Sequence, residues 1–304
     1  MNEQSRAGML SIFIAYLIWG LFPIYWKLIE HVAAYEILAN RIIWSFVFVV
    51  IFILLTRNIR KVRTAVLSLI EKPKQAIVLT AASLLISCNW FLYIWAVTHD
   101  RVIETSLGYY INPLMSVLLG VFILKESLSR AQVFSVILAA AGVLVLTVSY
   151  GQLPWVSLGL AVTFALYGLM KKTIQLEAAS GLMLETLIVT PAAVLFLIYL
   201  SSKEQLALFS VSTATDLLLI AGGAVTALPL LLFAEGAPKI PLSMIGILQY
   251  ITPTMTLFLG LFAYHEPFSS VQLLAFAFIW TALIVFTLSQ TKWFQKKQSF
   301  IERH

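Results

Sequence analysis

Two proline-bearing segments, Tyr110-Ile111-Asn112-Pro113 and Tyr250-Ile251-Thr252-Pro253, lie inside long apolar runs and are separated by a constant 140 residues. The same offset matches Met115 with Met255, Gly120 with Gly260, Phe122 with Phe262, Glu126 with Glu266 and Gln132 with Gln272. Between 104–132 and 244–272, ten of twenty-nine positions are identical. Shared apolar composition produces some identities, but not the same Pro, Gly, Glu and Gln at one offset. The chain reads as a duplicated unit, and duplicated membrane units are a mark of transport proteins.

The duplication sits in lipid. Hydrophobic residues make up 61% of the 304 and charged ones only 11%, against roughly 45–50% and about 25% in soluble domains. A soluble core of this size could not hide that much apolar surface. A membrane helix needs about 20 apolar residues. On that measure the chain divides into ten candidate spans, at 8–28, 35–55, 76–97, 103–124, 131–149, 153–170, 181–200, 217–236, 241–263 and 270–290. The first follows Arg6 as a signal peptide would, but it lacks a small-residue cleavage site and leads into further spans, so a retained helix is expected. Cys88 is the single cysteine, so no internal disulfide forms.

With the N-terminus in the cytoplasm, sixteen of the twenty Lys and Arg fall on the inner side, six of them in the Arg57–Lys74 cluster. This positive-inside bias places both termini in the cytoplasm. The cluster itself reads as an anionic-lipid anchor, and the net charge of +6 gives no ground for a nucleic-acid partner. Ten spans make two sets of five. Because five is odd, the second copy enters the bilayer from the opposite face. The expected fold is all-α, with residues 1–149 and 150–290 as inverted five-helix repeats and 291–304 as a basic cytoplasmic tail. Inverted repeats place a substrate site near the midplane, between the halves.

Several stretches resemble the EamA family of the drug/metabolite transporter superfamily. They are Trp19-Gly20-Leu21-Phe22-Pro23, Glu36-Ile37-Leu38-Ala39-Asn40-Arg41, Asn89-Trp90, Ile94-Trp95-Ala96-Val97 and Ser106-Leu107-Gly108-Tyr109-Tyr110-Ile111-Asn112-Pro113-Leu114. Tyr167-Gly168, Glu185-Thr186 and Phe278-Ile279-Trp280 extend the likeness over nearly the whole chain. The resemblance implies a bacterial inner-membrane carrier with two five-helix repeats around a central cavity. It implies no particular substrate, and favours efflux over uptake.

Candidate site residues follow from what lipid makes expensive. Pro113 and Pro253 each remove a helical N–H, freeing the carbonyls of Tyr109 and Gln249. In lipid such carbonyls need another partner, so a pair of interrupted helices lining a cavity is expected. Asn112 and Thr252 occupy equivalent positions beside them, as do Tyr110 and Tyr250. Trp90 and Tyr93 share a helical face, and with Tyr109 or Tyr110 they can wall a site for flat or cationic cargo by stacking and cation–π contact, Trp19 being a further candidate. Trp26, Trp155, Tyr264 and Trp293 stand at span ends and read as interfacial belt residues.

Arg41 lies inside its span. It either snorkels to the outer interface or provides a cavity charge that binds an anion or pairs with an acid. Glu36 and Glu185 stand at matching places in the second and seventh spans, either as mirror-related gate or proton sites or as acids complementing helix N-termini. His265-Glu266 and Lys125-Glu126 are span ends without metal spacing, and no phosphate-binding glycine loop is present. No cofactor or metal is expected. The sequence thus points to a secondary transporter moving a small metabolite or amphipathic organic solute by alternating access, in efflux or exchange. The rival is a membrane receptor-like scaffold or enzyme on the same fold, for which no catalytic constellation is evident. A monomer suffices for this reading.

Overall fold

In lipid every backbone N–H and C=O must be satisfied within the segment, so each apolar run folds as a helix. The computed structural model describes residues 3–124, 129–151, 153–174, 176–236, 239 and 248–289, and every regular element among them is helical. The order is α1 (Glu3–Gly20), α2 (Phe22–Lys27), α3 (Ala34–Leu55), α4 (Ile59–Glu71), α5 (Pro73–Thr98), α6 (Val102–Leu124), α7 (Arg130–Tyr150), α8 (Trp155–Thr173), α9 (Ala178–Ser202) and α10 (Thr213–Gly236). Then come α11 (Ile251–Phe258), which continues into a π-helical turn at Leu259–Ala263, and α12 (Ser270–Ser289).

Among the described residues seven helices are long and apolar enough to cross a membrane, and Trp155–Lys171 and Ile251–Ala263 are shorter apolar helices. The expected span 241–263 falls partly on residues outside the described ones. So do Glu126, Trp293 and the whole 291–304 tail. The Arg57–Lys74 cluster differs from a plain loop: most of it forms α4, which turns Val62, Ala65 and Leu69 onto α3, α5 and α9 and leaves Arg60, Lys61 and Arg63 exposed. A 13-residue amphipathic helix is too short and too polar to register on a 20-residue apolar ruler.

Packing joins helices far apart in sequence. α1 lies against α10 and α11, α3 against α9 and α10, α5 against α8 and α9, α6 against α8 and α11, and α7 against α12. Glycines allow several of these approaches. A Cβ on Gly108 would stand 2.9 Å from the carbonyl of Ser157, and one on Gly20 would stand 2.7 Å from the sulfur of Met255.

One end of the bundle gathers the turns around 28–33, 99–101, 203–212 and 264–269. There Lys27 pairs with Asp100 and lies over the Tyr264 ring, and His31 meets Thr215. The other end holds Lys61 with Glu177 and the apolar cluster of Ala65, Leu79, Ile174 and Leu184. Equivalent boxes cap two helices: Ser129 and Gln132 at the start of α7, and Ser269 and Gln272 at the start of α12, exchange side-chain and backbone bonds of 2.8–3.3 Å. Two of the repeated residues are thereby explained, because a Ser at N-cap and a Gln at N3 satisfy two orphan amides reciprocally.

Candidate functional site

Arg41, on α3, is only 4% exposed, so it does not snorkel. Its guanidinium carbon lies 4.4 Å from the ring centroid of Trp90, 5.1 Å from Trp26 and 5.7 Å from Phe22. Tyr93 and Tyr109, with rings 5.8 Å apart, complete the box, and Phe22 lies 6.5 Å from Tyr93.

Local geometry builds this box. The chain has a single turn residue at Leu21 between α1 and α2, and Phe22 and Trp26, four apart, share a face of α2. Trp90 and Tyr93 do the same on α5, and α6 adds Tyr109. Arg41 Nε and Nη1 and Trp26 Nε1 are buried N–H groups with no acceptor among the described residues. Nor does any carboxylate among those residues pair with Arg41.

Trp26 is therefore not a belt residue. At 1% exposure it is sealed within the bundle, its ring 5.1 Å from the Arg41 guanidinium. Phe22 is a further member of the box, outside the candidate site residues read from the sequence. Its spacing of four from Trp26 was the available signal. Trp155 is exposed and flanks Arg101 together with Trp95.

The remaining aromatic candidates form a second group. Tyr110 stacks on its repeat mate Tyr250 at 6.3 Å, and its hydroxyl meets Thr254 at 2.7 Å. Ser106 donates to the carbonyl of Pro253 at 2.7 Å, and Thr252 donates to that of Tyr16 at 2.9 Å. Asn112 Oδ1 is buried without a donor among the described residues. Trp19 turns from the Arg41 box to Tyr16 and Phe233, 5.4 and 5.9 Å away.

The two prolines behave differently. α6 continues across Pro113 to Leu124 without interruption. Near Pro253 the chain turns at Gln249 and Tyr250, and α11 starts at Ile251. Pro253 thus sits in a first helical turn, where its missing N–H has no intrahelical partner to lose.

Glu36 and Glu185 are both buried and both engaged. Glu36 accepts the amide of Ala207 at 2.9 and 3.0 Å and that of Leu208 at 2.9 Å. Glu185 accepts from the Tyr167 hydroxyl at 3.0 Å and pairs with Lys171. Glu266, read as a plain span end, accepts the amides of Val102 at 2.6 Å and Ile103 at 2.9 Å and so caps α6. An apolar groove of about 460 Å³ lies elsewhere, between α4, α5 and α9, and its lining contains none of these residues.

Apolar helices of spanning length, enclosing buried charges and helix-to-helix polar contacts, define a multi-pass helical membrane protein. The pattern of the EamA-like transporter family matches residues 6–148. The uncharacterized transporter YojE of Bacillus subtilis is 49% identical over 298 residues, covering 98% of this chain and 99% of YojE. Protein RarD of Escherichia coli is 41% identical over 286 residues, covering 94% and 95% of the two chains. A crystal structure at 19% identity shares the fold with a TM-score of 0.60, covering 93% of this chain and 97% of that one. The chain belongs to the EamA-like transporter family, among the relatives of RarD, and is a membrane transporter of the drug/metabolite type.

Proposed function

We propose that the protein is a secondary carrier of a small metabolite or amphipathic organic solute, working by alternating access between two inverted five-helix halves. One observation carries the reading: the helix contacts come in pairs that an exchange of the halves interconverts. The exchange maps α1, α3, α5, α6 and α7 onto α8, α9, α10, α11 and α12. Under it, α1 on α10 becomes α8 on α5, α3 on α10 becomes α9 on α5, and α6 on α8 becomes α11 on α1; all of these contacts occur. The pairs α3–α9, α6–α11 and α7–α12 map onto themselves, as contacts along a two-fold axis would. The matched capping boxes of α7 and α12 support the same exchange.

In this reading Glu36 and Glu185 are gate residues at opposite ends of the bundle, and the Arg41 box together with the Tyr110–Tyr250 pair faces the path between them. The membrane is the bacterial inner membrane, with both termini cytoplasmic, as the Lys and Arg distribution favours. Two measurements test it. Cysteines introduced at Gln152 and Gln175, which lie outside the described residues, are labelled in intact cells after exposed Cys88 is replaced by serine. The carrier reading requires Gln152→Cys to react from outside and Gln175→Cys from the cytoplasm. Labelling of both positions from one side rules out the mirrored halves, and reversed reactivity rules out the cytoplasmic termini. Counterflow of labelled solute in proteoliposomes then separates a carrier from a scaffold, which exchanges nothing.

A further inference from the structure

The Arg41 box is short of one thing, an acceptor. Ring faces attract a guanidinium but take up none of its in-plane N–H groups. Trp90, Trp26 and Phe22 therefore hold the cation while its Nε and Nη1 edges stay open, and Trp26 Nε1 adds a further buried donor without a partner. No acid among the described residues neutralises the charge, and Asp100, Glu36 and Glu185 are all bound elsewhere. A buried cation left uncompensated is costly. Water could occupy the donors but would leave the charge standing. A planar anion takes up one of these edges and cancels the charge, and carboxylates match a guanidinium edge best.

We propose that this box binds the carboxylate-type anionic group of a small organic acid, whose flat apolar body stacks on Trp90, Phe22 and Tyr93. The assignment rests on the carrier reading and names its substrate class. Arg41 supplies charge and direction, Trp26 a further hydrogen bond, and the rings select an aromatic or similarly flat body over a bare inorganic anion.

The test is equilibrium binding to the purified full chain, without any gradient. Benzoate and 3-phenylpropionate are titrated against their primary amides at matched ionic strength, following tryptophan fluorescence and melting temperature. The acids are expected to bind about tenfold or more tightly than the amides, a preference that Arg41→Gln abolishes. Arg41→Lys, which keeps the charge, guards against a misfolded Gln variant and is expected to retain part of the preference. Trp26→Phe, which keeps a ring but removes the N–H, is expected to weaken the acids by a few-fold. Equal binding of acid and amide, acid binding unaltered in Arg41→Gln, or no acid binding by the wild-type chain overturns the assignment. Acid binding without counterflow would sink the carrier reading alone. Exchange of a neutral solute with no preference for acids would sink this one alone.

Discussion

Glu36, buried on α3, accepts the main-chain N–H of Leu208 at 2.9 Å, so a carboxylate near the start of one span holds the loop between α9 and α10. Ala207 adds two more contacts to the same group. The acid therefore has a structural task at one end of the bundle, whatever its role in coupling.

Glu36→Ala leaves both amides without their acceptor. An unsatisfied buried donor costs about 1–3 kcal/mol, so the variant should melt at lower temperature and the 203–212 loop should become protease-sensitive before the rest of the chain. Limited proteolysis with mass mapping reads this directly. Uniform protection of that loop in the variant would show that Glu36 is not its clasp.

Glu266 carries a pH signature. Burial pushes its carboxyl above the usual carboxylate range, against the downward pull of the Ile103 and Val102 amides. A native state that holds a proton more tightly than the unfolded chain gains stability at low pH. That contribution is fully present below the ordinary value of about 4.3 and fades as pH rises through the raised native value. Relative to Glu266→Gln, which does not titrate, the wild type should gain melting temperature on acidification from neutral pH. A gap moving the other way would mean that the amides, not burial, dominate this site.

These two acids show what the sequence could and could not convey. Apolar runs are one-dimensional signals, and the helices follow them. The partners of Glu36 and Glu266 are backbone amides 171 and 163 residues away, and amides carry no residue-type signature. The burial of Trp26 is hidden for a related reason: a place near a span end does not say which face packs against Arg41. Arg41 was legible as a buried charge, but only packing shows that rings rather than an acid surround it.

Glu185 and Lys171 form a second pair that can be tested against each other. Glu185 is buried while Lys171 is partly exposed, and Tyr167 also donates to the acid. Removing the cation leaves a buried carboxylate with one neutral donor, whereas Glu185→Gln removes the charge itself. Lys171→Met should therefore destabilise more than Glu185→Gln, and the double variant should recover part of the loss, as expected when a buried charge is the source of the penalty. Thermal unfolding of the three variants decides it. Strict additivity would show that the pair is uncoupled. If Glu185 also gates proton movement, the pH profile of exchange in Glu185→Gln will flatten, and an unaltered profile removes that role.

Two adjacent glycines on α10 meet very different neighbours. On α10, a Cβ added to Gly223 would collide with the main chain of Trp44 on α3, and Ser45 donates to the Gly223 carbonyl at 3.3 Å. Its neighbour Gly222 faces Trp26, with ordinary van der Waals room of 3.5 Å for a methyl group. Backbone cannot step aside as a flexible side chain can, so Gly223→Ala must push α3 and α10 apart. Overpacking of this kind costs about 1–3 kcal/mol and sometimes more. Gly222→Ala meets no such obstacle and removes the entropy penalty of a mid-helix glycine, a gain of roughly 0.5–1 kcal/mol. One methyl group should thus lower the melting temperature at 223 and hold or raise it at 222. Because α3 carries Arg41, Gly223→Ala should also weaken whatever ligand the Arg41 box binds, while Gly222→Ala leaves folding yield intact. Equal stability of the two variants would show that α3 and α10 do not meet at Trp44 and Gly223.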